Sequence, residues 1–197
     1  MKKFPDQPEA LSLLSEVLLY ENKTEESEAI LATAVKLDAT LPSIFRNQAR
    51  LELRRSEFTS AEKSARLAFN QDPLDPENCH VLAMCLAASK QDEEALSLLK
   101  NALEIKPDFA EALGSRAYLR LRSSDFLGAS EDIVGALSIK PHLTKLWELL
   151  SALKQQAGDW DAAEQSLRSA VLHNPNNNEL LIKLAALLTE SSKHDDA

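Results

Sequence analysis

A spacing of four residues separates three arginines, Arg46, Arg50 and Arg54. Residues four apart share one face of an α-helix, so this spacing predicts a basic stripe along one helix. A guanidinium group binds a carboxylate through two parallel hydrogen bonds, and the stripe therefore favours recognition of acidic groups. The alternative is that these arginines pair with glutamates of the same chain, such as Glu77 and Glu111. Surface ion pairs of that kind contribute only about 0–1 kcal/mol.

Residue types that carry catalysis or bind metals are not grouped in this sequence. The four histidines are scattered, at His80, His142, His173 and His194, and we expect each to be a surface or helix-end residue rather than a ligand. The sequence has no glycine-rich phosphate loop and no cysteine or histidine pair with metal-ligand spacing. Nothing combines a nucleophile, a base and an orienting group. We therefore predict a protein that is not an enzyme and holds no cofactor and no metal.

Charge and hydropathy exclude further classes of function. The net charge is −9, whereas nucleic-acid-binding proteins carry a basic footprint, so we predict no nucleic-acid partner. No apolar run approaches the roughly 20 residues that cross a bilayer, so we predict no membrane span. The N-terminal residues MKKFPDQPEA place proline and acid where a signal peptide has its apolar core. These features favour a cytoplasmic protein.

The two cysteines, Cys79 and Cys85, agree with that compartment. On one helix they would lie about 9 Å apart along the axis. That separation exceeds the limit of about 7 Å between the Cα atoms of a disulfide. We expect two reduced thiols, as in a reducing compartment.

The prolines show the organisation that must position these residues. Two series recur every 34 residues, Pro8, Pro42 and Pro76 in one, and Pro73, Pro107, Pro141 and Pro175 in the other. A period of this length is typical of stacked repeats. The predicted repeats are 8–41, 42–75, 76–109, 110–143 and 144–177, followed by a partial repeat, 178–197. Residues 1–7 are expected to be a lead-in or the tail of an earlier repeat.

Within each repeat, small and bulky residues recur at fixed places. The twenty-seventh place is alanine in every full repeat, at Ala34, Ala68, Ala102, Ala136 and Ala170. Small residues allow two helices to approach closely. In the fifth repeat we expect one helix at roughly 145–157 and another at roughly 161–173, with a turn at Gly158. Each repeat is therefore predicted to be a helical hairpin.

This pattern resembles the tetratricopeptide repeat, a helical hairpin of 34 residues. The fifth repeat carries the family signature at Trp147, Leu150, Gly158, Trp160, Ala163, Ala170 and Pro175. The resemblance implies an all-α fold, a right-handed α-solenoid of stacked antiparallel helix pairs. Other repeats depart from the pattern at the turn glycine, with Asn22, Ser56, Lys90, Ser124 and Ser192. Polar Gln48 and Arg116 replace an apolar residue at the seventh place, where we expect looser packing.

The resemblance also implies a binding surface, because the first helices of such repeats line a concave groove. The groove residues we expect to bind a partner are Arg46, Asn47, Arg50, Arg54, His80, Val81, Met84, Tyr118, Leu121 and Arg122. The arginine stripe lies beside an apolar floor, and methionine adapts to ligands of varied shape. We predict a protein or peptide ligand with acidic and hydrophobic residues.

One known sub-function of the family does not fit. Some members bind the C-terminal carboxylates of heat-shock chaperones with a clamp of Lys, Asn, Asn, Lys and Arg from three consecutive repeats. The second to fourth repeats instead have Arg46, Arg50, Val81, Glu111 and Ser115 at those places. No other three consecutive repeats supply the set, so we exclude chaperone tails as ligands.

The last predicted helix is apolar on nearly every side, at Leu180, Leu181, Ile182, Leu184, Ala185, Leu187 and Leu188. End repeats normally need a polar outer face. We therefore expect a fragment of a longer protein, or a last helix covered by a partner, including self-association with another copy. The first hypothesis for function is a protein-interaction scaffold. The alternative is the substrate-recruiting region of a larger enzyme, for example a glycosyltransferase, whose catalytic domain is absent from this chain.

Overall fold

A computed structural model of the protein describes residues 7–195, with side chains described for 7–191. Every regular element in that range is an α-helix. The eleven helices of the described range are α1 (Pro8–Tyr20), α2 (Thr24–Leu37), α3 (Pro42–Arg54), α4 (Phe58–Gln71), α5 (Pro76–Ala88), α6 (Asp92–Ile105), α7 (Ala110–Arg122), α8 (Phe126–Ile139), α9 (Thr144–Gln156), α10 (Trp160–His173) and α11 (Asn178–Asp195). The predicted lead-in at 1–7 lies outside the described residues except for Gln7.

The helices alternate with the period found in the sequence. The odd-numbered helices, here called first helices, begin 34 residues apart from Pro8 to Asn178, and the even-numbered second helices do so from Thr24 to Trp160. Proline opens α1, α3 and α5, where its fixed φ suits a helix start and its missing N–H leaves no bond unmade. Each second helix follows its first helix after a short turn, which makes the two antiparallel.

The turns inside the hairpins share one backbone conformation. Its central residue has a positive φ of 60–63° at Asn22, Ser56, Lys90 and Ser124, and of 77° at Gly158. The next residue closes the turn, as where the Lys23 N–H donates to the Leu18 carbonyl at 2.9 Å. This left-handed residue after a helix is a position that favours glycine. Asparagine, serine and lysine therefore adopt here a conformation that glycine adopts without strain.

Small side chains lie where the two helices of a hairpin approach each other. In the first hairpin Ser27 Oγ donates to the Ser15 carbonyl at 2.9 Å, and both residues are buried. In the fourth hairpin the same places hold Ala117 and Ala129, both fully buried. Leucines on either side of this contact, Leu11 and Leu18 in α1, pack against α2. The recurring small residues thus set the close packing of each pair.

The chain divides into two compact units, Met1–Pro107 and Asp108–Ala197. In the first unit α2 packs on α3 and α4 on α5, while α1, α3 and α5 contact one another in order. In the second unit α8 packs on α9 and α10 on α11. The predicted fold class, an all-α array of antiparallel helix pairs stacked in chain order, is confirmed within each unit.

The two polar residues at the seventh place have partners close by. Arg116 donates to Asp132 of α8 from Nε at 2.8 Å and from Nη2 at 2.6 Å. Asp132 is only 3% exposed, and Arg120 Nη1 also lies 2.9 Å from its Oδ2. Gln48 Nε2 donates to Glu52 at 3.1 Å. Arg116 thus forms an ion pair with a buried carboxylate at one of the two places where we expected looser packing.

Candidate protein-binding surface

One side of the first helices faces away from the second helices and carries most of the groove residues predicted from the sequence. We call this side the first-helix surface of each unit. In the first unit it comprises Glu16, Tyr20, Arg46, Arg50, Arg54, Glu77 and Met84, none of which is fully buried. In the second unit it comprises Tyr118, Leu121, Arg122, Glu148 and Lys183, again with every side chain at least partly exposed.

Arg50 is the centre of the first-helix surface of the first unit. Its Nη1 lies 2.7 Å from Glu16 Oε1 of α1, and its Nη2 lies 2.5 Å from Glu77 Oε2 of α5. Burial of the guanidinium disfavours its charge, but Glu16 and Glu77 favour the charge by more, so the pKa of Arg50 is raised. The side chain is 14% exposed. Arg50 therefore links three consecutive first helices and has little surface left for a ligand.

Arg46 is also paired within the chain. Its Nη1 lies 2.5 Å from Asp75 Oδ2 and 3.0 Å from Asn78 Oδ1. Asp75 caps α5, since its other oxygen accepts the Glu77 N–H at 2.9 Å. The carboxylate at a helix N-terminus is stabilised by the helix dipole as well as by this hydrogen bond. Arg46 thus fixes the beginning of α5 against α3.

Three other groove predictions fall on buried residues. Asn47 is fully buried, and its Nδ2 donates to the Ser12 carbonyl at 2.7 Å. His80 is 6% exposed and Val81 is 1% exposed. The prediction that His80 is a surface or helix-end residue is wrong, because it lies in the middle of α5 and packs inward. These residues hold α1, α3 and α5 together beneath the surface.

On the first-helix surface of the first unit, the exposed side chains are one tyrosine, one methionine and the last arginine of the stripe. Tyr20 is 63% exposed and Met84 is 40% exposed. Arg54 is exposed and donates to Asn22 Oδ1 at 2.7 Å, a contact between two surface groups. Tyr20 lies near the Arg50 guanidinium. The Tyr20 ring and the Arg54 guanidinium group thus both present exposed surface here.

The second unit places its predicted residues differently. Tyr118 is 59% exposed and Arg122 lies at the end of α7, where its side chain is partly exposed. Leu121 is half-buried and packs against the core around Leu150. Within α7, Gly114 allows Leu146 of α9 to approach, since a Cβ there would lie 3.3 Å from the Leu146 side chain. The tyrosine and the arginine therefore project from a closely packed base.

Comparison with known proteins identifies the repeat. The family model of the tetratricopeptide repeat matches residues 76–109, the same bounds that the proline spacing predicts for the third repeat. Residues 76–109 are thus one tetratricopeptide repeat. The matched segment contains α5 and α6, and the other helix pairs follow the same 34-residue spacing.

Solved structures share this fold at low sequence identity, and two of the three that follow are described as tetratricopeptide repeat proteins. TTC0263 of Thermus thermophilus is 19% identical, with a TM-score of 0.79 over 92% of this chain and 99% of that one. PilF of Pseudomonas aeruginosa is 18% identical, with a TM-score of 0.76 over 94% and 86%. YrrB, described as having an unusual peptide-binding site, is 15% identical, with a TM-score of 0.59 over 90% and 92%. Likeness at this level establishes the fold.

The described part of the chain offers neither a metal site nor a membrane-spanning helix. Residues 7–195 contain no group of three or more histidine, cysteine or acidic side chains that could hold a metal ion. None of the helices searched there is long and apolar enough to span a membrane. His142 and His173 are exposed, and the side chain of His194 lies outside the described residues. The candidate site is the first-helix surface of each unit.

Asp75 is the residue that sequence reasoning missed. It lies outside the helix places that the family pattern assigns to the groove, yet it binds Arg46 and caps α5. An aspartate directly before the helix-opening Pro76 was the available signal, since aspartate is a preferred N-cap residue.

Proposed function

We propose that this protein is an interaction scaffold that binds a peptide or helix of another protein on its first-helix surfaces. The observation that supports this proposal is the set of exposed aromatic, arginine and methionine side chains on first helices of both units. Tyrosine and arginine contribute most of the binding energy in many protein interfaces. The similar fold of YrrB, with its peptide-binding site, supports the same function.

The exposed residues favour an acidic and hydrophobic ligand. Arg54 and Arg122 would bind carboxylates of the partner, because a guanidinium group matches a carboxylate with two hydrogen bonds. Met84 and Tyr118 would contact its apolar side chains, with Leu121 contributing beside Tyr118. Arg46, Asn47, Arg50, His80 and Val81 would act indirectly, by holding the helices that present this surface.

The ion pairs decide which variants can test the proposal. A glutamate at Arg50 would face Glu16 and Glu77, and a glutamate at Arg46 would face Asp75. Such variants would separate the first helices. A loss of binding would then not show whether a contact with the ligand was lost or the structure of the surface was disrupted. Arg54→Glu and Tyr118→Ala change exposed side chains and leave these pairs intact.

The test begins with a random peptide library displayed on phage and selected on the immobilised wild-type protein. Peptides that bind are expected to combine Asp or Glu with apolar residues. Fluorescence anisotropy then measures their Kd for the wild type, for Arg54→Glu and Met84→Ala in the first unit, and for Tyr118→Ala and Arg122→Glu in the second. Loss of a contact worth about 1.4 kcal/mol weakens binding tenfold. We expect at least this effect in the unit that holds the peptide.

Matched controls carry the same charge reversal on second helices. Lys100→Glu in α6 and Arg168→Glu in α10 change side chains that are 72% and 60% exposed. We expect their Kd values to stay within about twofold of the wild type. Peptides that bind all four surface variants as tightly as the wild type, or that are consistently basic, would contradict the proposed function.

A further inference from the structure

The middle of the first-helix surface in the first unit exposes carboxylates more than guanidinium groups. The side chains of Arg46 and Arg50 are 12% and 14% exposed. The acidic side chains paired with them, Glu16, Asp75 and Glu77, are 18%, 26% and 28% exposed. A ligand that reaches this part of the surface therefore meets the acids more readily than the arginines.

The charges in this part of the surface do not balance. Two guanidinium groups pair with three carboxylates, and Arg50 alone binds two of them. Glu16 uses only Oε1 for Arg50, and Glu77 uses only Oε2. The second oxygen of each glutamate can therefore accept a hydrogen bond from a ligand. The surface around Arg50 thus carries excess negative charge and suits a cationic group.

Arg54 places the opposite charge at the end of the same helix. Its side chain is exposed and donates to Asn22 Oδ1, a neutral acceptor, at 2.7 Å. Arg54 follows Arg50 by four residues on α3, which corresponds to about 6 Å along the helix axis. The stripe that the sequence predicts to be basic is thus negative around Arg50 and positive at Arg54.

We propose that the first unit binds a segment of a partner protein that carries a basic and an acidic side chain on one face, about 6 Å apart. The basic side chain binds the second oxygens of Glu16 and Glu77, and the acidic side chain binds Arg54. Residues i and i+4 of a helix, or i and i+2 of an extended strand, have this spacing. This inference rests on the function proposed above and names the charge pattern of the ligand in the first unit.

Segments that carry only one sign of charge fit this surface less well. In an acidic segment bound to Arg54, a second carboxylate would lie near Glu16 and Glu77, and like charges placed together disfavour a partner. A basic segment would meet the same repulsion at Arg54. A segment with both charges leaves the pairs of Arg50 intact, and its apolar residues can contact the exposed Met84 of α5.

Two phage-displayed peptide libraries distinguish these ligands, one with all residue types and one without lysine and arginine. Both are selected on the immobilised wild-type protein, and peptides that need the first unit are those that bind Arg54→Glu or Met84→Ala more weakly. Among them, the tightest peptides of the complete library should carry both charges and bind about tenfold or more tightly than the best of the other library. Equal Kd values from the two libraries would overturn the proposal.

Glu77→Gln locates the basic residue of the bound peptide. The amide oxygen of glutamine can still accept from Arg50, whereas the excess negative charge is removed. Replacing the peptide's lysine or arginine with methionine should raise the Kd about tenfold or more for the wild type and less than about threefold for Glu77→Gln. The matched control, Glu104→Gln on α6, changes a side chain that is 64% exposed and should keep the difference seen with the wild type.

The outcomes separate this inference from the function on which it rests. A selection without peptides that need the first unit, or first-unit peptides whose basic residue can be replaced without a change in Kd, would overturn the charge pattern alone. Peptides that bind every surface variant of both units as tightly as the wild type would contradict the binding function itself. Circular dichroism checks the helix content of Glu77→Gln, and the substitutions in the peptide test the charge pattern on the wild-type protein even if that variant unfolds.

Discussion

The two units use the same arginine–carboxylate chemistry in different directions. In the first unit Arg50 joins neighbouring hairpins, with Glu16 on one side and Glu77 on the other. In the second unit the corresponding network lies inside one hairpin, where Arg116 of α7 binds Asp132 of α8. The first arrangement uses the basic charge of the first-helix surface to hold the stack together. In the second arrangement, Tyr118 and Arg122 are the residues exposed on the first-helix surface of α7.

The difference shows that a basic stripe in a repeat sequence does not by itself define a ligand site. Arg46 and Arg50 are 12% and 14% exposed, because Arg46 pairs with Asp75, and Arg50 pairs with Glu16 and Glu77 of the adjacent repeats. The second unit also pairs α9 with α11 through Glu148 and Lys183, but Lys183 remains 41% exposed. Arginine between hairpins thus contributes to stacking, and we propose that only the more exposed arginines contact a partner.

The largest effect is expected from breaking the pair inside the fourth hairpin. Arg116→Ala leaves the buried Asp132 with only Arg120, whose Nη1 lies at 2.9 Å. Removing one partner of a buried ion pair typically costs about 3–5 kcal/mol. Because one partner remains, we expect the free energy of unfolding to fall by about 3 kcal/mol, the lower end of that range, measured by urea denaturation.

A double variant shows whether the loss comes from the orphaned charge. Arg116→Leu combined with Asp132→Leu restores an apolar residue at the seventh place and removes the buried carboxylate. Replacing a buried ion pair with apolar residues is often neutral or stabilising. If the double variant is as unstable as Arg116→Ala, the cost has another origin.

A smaller loss is expected from the link between hairpins in the first unit. Arg50→Ala leaves Glu16 and Glu77, with side chains 18% and 28% exposed, without their shared cation. Half-buried charged groups that lose a partner cost about 2 kcal/mol. The free energy of unfolding of Arg50→Lys should lie between those of Arg50→Ala and the wild type, because one ammonium group cannot bind two carboxylates as a guanidinium group does. Equal stability of Arg50→Ala and the wild type in urea would refute the linking role.

The two buried thiols of α5 report on the first unit alone. Burial raises the pKa of Cys85 to about 12 and also raises that of Cys79, so the reactive thiolate is scarce at pH 8 in the folded state. Labelling with a disulfide reagent at pH 8 should therefore require local opening. We expect Arg50→Ala to increase the labelling rate about tenfold or more and Arg116→Ala to change it much less. Equal increases in both variants would mean that the two units open together.

The smallest effects concern the turns inside the hairpins. Lys90 has a φ of 62° and Gly158 a φ of 77°, and the left-handed region costs L-residues about 1 kcal/mol. Lys90→Gly should stabilise the first unit by about 0.5 kcal/mol, because relief of this strain exceeds the entropy that glycine gains in the unfolded chain. Gly158→Ala should destabilise the second unit by about 1 kcal/mol. Thermal unfolding measures both changes, and a shift of the same sign in both variants would contradict the turn geometry.

Much of the fold could be predicted from the spacing of proline and alanine. The fifth hairpin was expected at roughly 145–157 and 161–173 and has its helices at Thr144–Gln156 and Trp160–His173. The family resemblance predicted the places on the first helices, but not which of them lie open. His80 and Val81 are buried because neighbouring helices pack over α5. Arg46 pairs with Asp75 because this carboxylate lies within reach of the long arginine side chain. A repeat pattern fixes backbone positions, whereas such contacts depend on residues outside the pattern.

The most direct test of the binding role is amide hydrogen exchange with and without a peptide selected on the wild-type protein. If the first-helix surfaces are the binding site, the bound peptide should slow amide exchange in the first helices of at least one unit. These helices are α1, α3 and α5 in the first unit and α7 and α9 in the second. The second helices α2, α4, α6, α8 and α10 should keep their rates. Protection concentrated in the second helices, with the first helices unchanged, would contradict the account.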